Sequence, residues 1–283
     1  MTIRLVSSFI PAQATTDGAG VAIKRVALVG VPTADPLLLV DELCSPYRED
    51  FSAGFPSHPH RGMQTLTYML SGGIIHEDSM GNRGEIRDGG VQWMSAGSGV
   101  IHSEIPTQDT EGLHGFQLWF NLPAAQKMRA PRYRDIPAAD LPVYSSEGCS
   151  LIAIAGDWYG DGHRLVTGPL TELQPIAQIA DVQLAANATL CLDLDECAST
   201  SLFVFEGGLD EQQAQNLLAP GLAVFEGGST LQIKATAQGV RCLVLAGAPI
   251  GEPVVGYGPF VMNTREEIET ALKEYRDGTF LKH

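Results

Sequence analysis

The sequence is short of basic residues, of cysteine pairs and of long apolar runs, and each shortage removes a class of function. Lysine and arginine number 18 against 33 aspartates and glutamates, a net charge of −15 over 283 residues. So acidic a chain repels a phosphate backbone or an anionic bilayer unless a local basic patch overrides it. No run of Lys and Arg long enough to do so is present, so direct nucleic-acid binding and membrane docking are both disfavoured. The cysteines Cys44, Cys149, Cys191, Cys197 and Cys242 are odd in number, widely spaced and without a C-x-x-C pair. They read as reduced thiols and not as a disulfide framework. No apolar run approaches the roughly 18 residues of a spanning helix, and the opening MTIRLVSSFIPAQATTDGAG lacks the basic region and sustained apolar core of a secretory leader. A soluble cytoplasmic protein is the expectation.

What is present is glycine (31) and proline (17), scattered between short apolar runs, the distribution of many short strands joined by turns. VAIKRVALVG reads as one or two strands, and Leu37–Val40 as a core strand followed by a polar loop. Residues 63–70 carry apolar side chains on both alternating faces, as in a sheet covered on each side. Residues 91–94 and 113–123 continue the β pattern, with Trp93 and Met94 as barrel wall. One antiparallel barrel of the jelly-roll kind accounts for this half.

The stretch around which this half is organised opens with FPSHPHRG and closes with VIHSEIP. Residues two apart on a strand share a face, so His58 with His60, and His102 with Glu104, each present a pair of ligand-type groups to one side. A single histidine on a strand is more often structural than a ligand. Three imidazoles and a carboxylate are costly to bury without partners, and together they suit a divalent transition metal: iron, zinc, manganese, nickel or copper. His76, Glu77 and Asp78 form a second cluster whose plain reading is a solvated strand end, with His76 a contributor to the pocket. His114 reads as an outer partner of the site, and Cys44 carries no reactive signature.

Residues 123–142 contain a cluster of prolines and the basic residues Lys127, Arg129, Arg132 and Arg134, and read as a linker with a solvated face. A second β-rich half follows, in which FVFEGG and AVFEGG repeat a strand and double-glycine pattern. It has no H-x-H or H-x-E and is expected to bind no metal. Near the end, Thr264 and Glu267 make a capping box, and Ile268, Ala271, Leu272 and Tyr275 form an apolar stripe that stops before Gly278. A helix at about 264–277 is expected, returning to cover the first barrel. The domains are drawn at 1–135, with the metal site, and 136–283, without one and ending in the helix.

The block FPSHPHRGMQTLTYML, SGG, IIHEDSMGNRGEIRDGGVQWMSAGSGVIHSEIP, with the tail GPFVMNTREEIETAL, resembles the pirin family of the cupin superfamily over nearly the whole chain. The resemblance implies an all-β bicupin of two antiparallel β-sandwich barrels and one metal, typically iron as Fe(II), in the first. Its ligands map onto His58, His60, His102 and Glu104. Some pirins resemble quercetin 2,3-dioxygenases in activity, opening a flavonol ring with dioxygen. Others are interaction proteins that regulate transcription or a metabolic enzyme. The partner is accordingly a small aromatic substrate or a protein, and a monomer is expected. Where the general cupin pattern has an acid four residues after the second histidine, this chain has Gln64, which is no base near neutral pH; Glu104 or a metal-bound hydroxide is then the base.

Overall fold

A computed structural model describes residues 2–173, 175–195, 198–210 and 219–282; Cys197, among the cysteines read as thiols, lies outside them. The chain divides into two compact units, Gln13–Ala138 with Ile250–His283, and Met1–Ala12 with Ala139–Pro249. This differs from division at 135/136. The interior cut is close, but each terminus belongs to the other half. Strand Leu5–Pro11 adds to the edge of Gly221–Glu226, where Phe9 lies over Gly221. A Cβ at Gly221 would come 2.2 Å from the Phe9 ring, so the glycine makes room for the strand. Local alternation shows that a segment is a strand and not whose edge it joins.

The second unit is one nine-stranded antiparallel sheet around a core of residues such as Leu151, Trp158, Val182, Val204, Phe225 and Val244. The repeated FVFEGG and AVFEGG segments lie side by side in it as strands Ser199–Leu209 and Gly221–Glu226.

The first unit holds the candidate site between two sheets. The larger has seven strands, in the order Arg132–Ile136, Val91–Ser95, Met63–Ser71, Leu113–Asn121, Leu37–Ser45, Val21–Ala27 and Gln13–Asp17. The smaller has four, Phe55–His60, Val100–Pro106, Ile74–Asp78 and Arg83–Ile86. In the larger sheet Leu37–Ser45 is longer than the expected Leu37–Val40, because Asp41 and Glu42 are buried and ion-paired instead of forming a polar loop. Trp93 and Met94 are buried in the wall.

The segment read as a linker is part of this barrel. Strand Arg132–Ile136 pairs with Val91–Ser95, and a single helical turn, Ala124–Lys127, precedes it. Lys127 is therefore not on a solvated face. Its buried Nζ donates to Gly62 O (2.7 Å), Asn121 Oδ1 (2.6 Å) and Val261 O (2.9 Å), and burial lowers its pKa to about 8. The C-terminal helix, Arg265–Arg276, has its capping box at Thr264 and Glu267. Ile268 and Ala271 pack with Phe260, Met262 and Phe280, and Ile101 of the smaller sheet joins that cluster. Among the described residues, no helix is long and apolar enough to cross a membrane.

Candidate metal centre

Strand register assembles the centre. Val100–Pro106 runs between Phe55–His60 and Ile74–Asp78, and His102 lies opposite His58 on one side and Asp78 on the other. Glu104 lies opposite His76. Alternation turns all these side chains to the same face, toward the interior. The ring centroid of His102 is 4.3 Å from that of His58 and 5.0 Å from that of His60.

Which nitrogen faces inward is set by what the other one binds. His58 Nδ1 is 2.8 Å from Pro56 O, and His60 Nδ1 is 3.2 Å from Pro259 O. A carbonyl only accepts, so each ring carries its proton on Nδ1 and a lone pair on Nε2. The two Nε2 atoms are 3.1 Å apart, near the edge of ~3 Å spanned by two nitrogens each bonded at ~2.1 Å to one ion. His102 Nε2 is buried and has no hydrogen-bond partner among the described residues. Two opposed lone pairs and an orphaned buried nitrogen are unfavourable as they stand. A divalent cation among the three satisfies all of them, so the residues fit a metal.

Glu104 belongs to a second group, in which its carboxylate, His76 and His102 offer atoms within 4.8 Å of one another. Gln117 Nε2 donates to both of its oxygens at 3.1 Å, and Thr67 Oγ1 lies 3.2 Å from Oε1. His102 thus joins the trio of imidazoles to the acid. Trp119 sets its ring edge-on to His60 at 5.0 Å.

Burial, and then the neighbouring His58, lowers the His60 pKa to about 3; burial and the adjoining imidazoles hold His102 well below its ordinary value. Metal-free protein is therefore expected to weaken as the pH falls from 6.5 toward 3, since unfolded imidazoles take up protons that the buried ones refuse. Each contributes about 1.4 kcal/mol per pH unit once the pH is well below the unfolded value. Urea unfolding of metal-free wild type and His60→Gln between pH 5.5 and 4 measures this; parallel profiles would contradict it.

A cavity of about 640 Å³ adjoins the centre, with His58, His60, Glu104 and Gln117 in its lining. Leu38, Leu39, Phe55, Trp119 and Pro259 supply apolar walls. Its charged wall is Arg25, whose Nε and NH2 bind the Asp41 carboxylate at 2.7 and 2.6 Å, while NH2 also reaches Asp17 at 2.5 Å. Burial pushes the Asp41 carboxyl up even beside Arg25; at Asp17 the effect of burial is outweighed by Arg25, and the pKa is lowered.

Residues 26–120 match the family described as Pirin, and residues 179–281 match the Pirin C-terminal cupin domain. The chain belongs to the pirin family. A Pseudomonas aeruginosa protein named as a putative quercetin 2,3-dioxygenase is 42% identical over 93% of each chain. The Caulobacter vibrioides pirin-like protein is 39% identical over 99% of this chain and 100% of its own length. The crystal structure of quercetin 2,3-dioxygenase from Acinetobacter baumannii superposes with a TM-score of 0.88 at 32% identity, covering 99% of both chains. The all-β bicupin fold follows.

In this pirin several sequence readings change. His76 is 1% exposed and the Asp78 side chain 0%, so they are not a solvated strand end. Only Glu77, between them, points out, and it pairs with Arg83. The alternation that found H-x-H and H-x-E also marks His76-Glu77-Asp78, and was the available signal. His114 faces away from the cavity; its Nε2 meets Glu42 Oε1 at 3.1 Å, beside exposed Cys44. Gln64 also faces away, its Oε1 accepting from Trp93 Nε1 at 3.3 Å, so it is neither ligand nor base. Arg25, Asp41, Gln117 and Thr67 lie on strands whose β pattern was legible, but nothing local marked them as lining the site.

Proposed function

We propose that this pirin is a mononuclear dioxygenase for flavonol-like aromatic substrates, with iron(II) as the working metal held by His58, His60, His102 and Glu104. One observation carries the reading: three inward Nε2 atoms, one of them buried without a partner, stand beside an apolar-walled cavity of about 640 Å³. Such a volume is that of a drug-sized ligand. The relatives' names supply the substrate class.

When bound, a redox-active ion supplies the electron transfer that lets dioxygen attack an electron-rich enolate. The chain's residues prepare that encounter. The apolar walls hold the flat rings and exclude water. Glu104 is the base that takes the proton of the substrate's 3-hydroxyl, and the Gln117 amide and Thr67 hydroxyl keep its carboxylate in place. Asp41, Asp17 and Arg25 offer acceptors and a cation to hydroxyl groups on the rings. Among the described residues Cys149, Cys191 and Cys242 stand as thiols, which supports a reducing compartment, and we place the protein in the cytoplasm as a monomer acting on a small molecule and not on nucleic acid or membrane.

Iron-loaded protein mixed with quercetin and a panel of related flavonols in an oxygen electrode tests this. Dioxygen uptake equal to flavonol consumed is expected, with none from metal-free protein. Stoichiometric iron without turnover on any flavonol would remove the enzymatic reading and leave a metal-dependent interaction protein.

A further inference from the structure

Two buried residues beyond the proposed ligands remain without a role: His76 and Asp78. They form a line with His102. Asp78 Oδ1 accepts from Met80 N (2.9 Å) and Asn82 N (3.0 Å), and Oδ2 accepts from Asn82 Nδ2 (2.8 Å). Both carboxylate oxygens are thus acceptors, and Oδ2 also lies 3.4 Å from His76 Nε2. His76 Nδ1 in turn lies 3.3 Å from His102 Nδ1.

We propose that the Asp78–His76 pair selects the tautomer of His102 that binds metal. The carboxylate accepts a hydrogen bond from His76 Nε2–H, which holds the proton on Nε2 and leaves His76 Nδ1 with a lone pair. That lone pair requires a proton on His102 Nδ1, and so a lone pair on His102 Nε2, the buried atom that lacks a partner. His58 and His60 reach the same state through the carbonyls of Pro56 and Pro259. The neighbour of His102 Nδ1 is instead His76 Nδ1, and the aspartate supplies the polarity through that second ring. The two are positioning residues that act through His102; they also make its ring a more basic ligand.

The Asp78–His76 pair resembles the aspartate and histidine of a serine-protease triad, where the amide replacement leaves the geometry but gives the imidazole the wrong tautomer. In Asp78→Asn the new NH2 donates to His76 Nε2. His76 must then carry its proton on Nδ1, and His102 must carry its own on Nε2, where it opposes a cation. The alternative is that His76 is itself a ligand, since its donor atom lies within 4.8 Å of those of His102 and Glu104.

The inference rests on the proposed centre, and the test separates the two. Nickel(II) affinity is measured by competition with a chromophoric chelator for wild type, Asp78→Asn, His76→Phe and His76→Asn. Long-range nitrogen–proton NMR of the metal-free proteins reads the His102 tautomer. Asp78→Asn and His76→Phe should bind about 10–100-fold more weakly. His76→Asn, whose Oδ1 takes the place of the ring Nδ1 as acceptor, should recover most of the loss. Wild-type His102 should carry its proton on Nδ1, and in Asp78→Asn on Nε2. A wild-type His102 protonated on Nε2 overturns the inference without any variant. So does wild-type affinity in Asp78→Asn, or loss of binding in both His76 variants while Asp78→Asn binds normally. No nickel binding by wild type would instead sink the centre itself, with the NMR reading still deciding the tautomer.

Discussion

Replacing His102 by alanine should lower affinity for nickel(II) or iron(II) by about a thousandfold, beyond the ~10–100-fold typical of an outer partner. Among the described residues, His102 is the only imidazole that belongs to both groups, His58 with His60 and His76 with Glu104. Its loss leaves two nitrogens on one side of the site and a carboxylate on the other. The metal-free fold should change little, within about 2 kcal/mol, because opposing effects meet at this position. Removing a buried nitrogen that has no partner relieves a desolvation penalty, whereas the vacated ring volume and the stranded His76 Nδ1 cost a similar amount. Isothermal titration and urea unfolding of the same sample separate the two readouts. A large loss of metal-free stability with affinity retained would make His102 a structural residue.

The histidines were legible for a physical reason. A strand's period of two is local, so H-x-H and H-x-E declare a shared face before any partner is known, and register then brings the two strands together. The same rule covered His76 and Asp78, but their burial depends on neighbouring strands, and a solvated strand end has the same local pattern. What lay beyond sequence reading was non-local. Gln117 faces Glu104 because Leu113–Asn121 sits next to Met63–Ser71 in the larger sheet. Lys127 is buried because Gly62 and Val261, remote in sequence, bring carbonyls to it. The exchange of termini divides along the same line: the C-terminal helix was read as returning to the first barrel, where it packs, whereas nothing local gave the destination of Leu5–Pro11.

That exchange bears on the site, as Arg61→Met should show by destabilising the protein by about 3 kcal/mol, mostly from two buried carbonyls that lose their donor, since the Glu274 partner is part-exposed. Arg61 follows the proposed ligand His60 and is 1% exposed. Its Nε donates to Ser98 O at 2.7 Å, NH2 to Phe280 O at 2.9 Å, and NH1 meets Glu274 at 2.8 Å. The guanidinium also lies over the Phe280 ring, 4.3 Å from its centroid. Methionine fills the volume but leaves the carbonyls of Ser98 and Phe280 without this donor and Glu274 with Lys282 as its remaining ion pair. The next residue reinforces the attachment, since a Cβ at Gly62 would come 2.1 Å from Val261 O; the C-terminal strand sits directly on this turn. Because Pro259 O, on the same C-terminal segment, orients His60, loosening the segment should also weaken metal binding, by roughly tenfold. Arg61→Lys keeps the charge but not the fork of donors and should restore only part of either quantity. Equal metal affinity in Arg61→Met, measured below its unfolding transition, would show that the C-terminal segment stabilises the barrel without ordering His60.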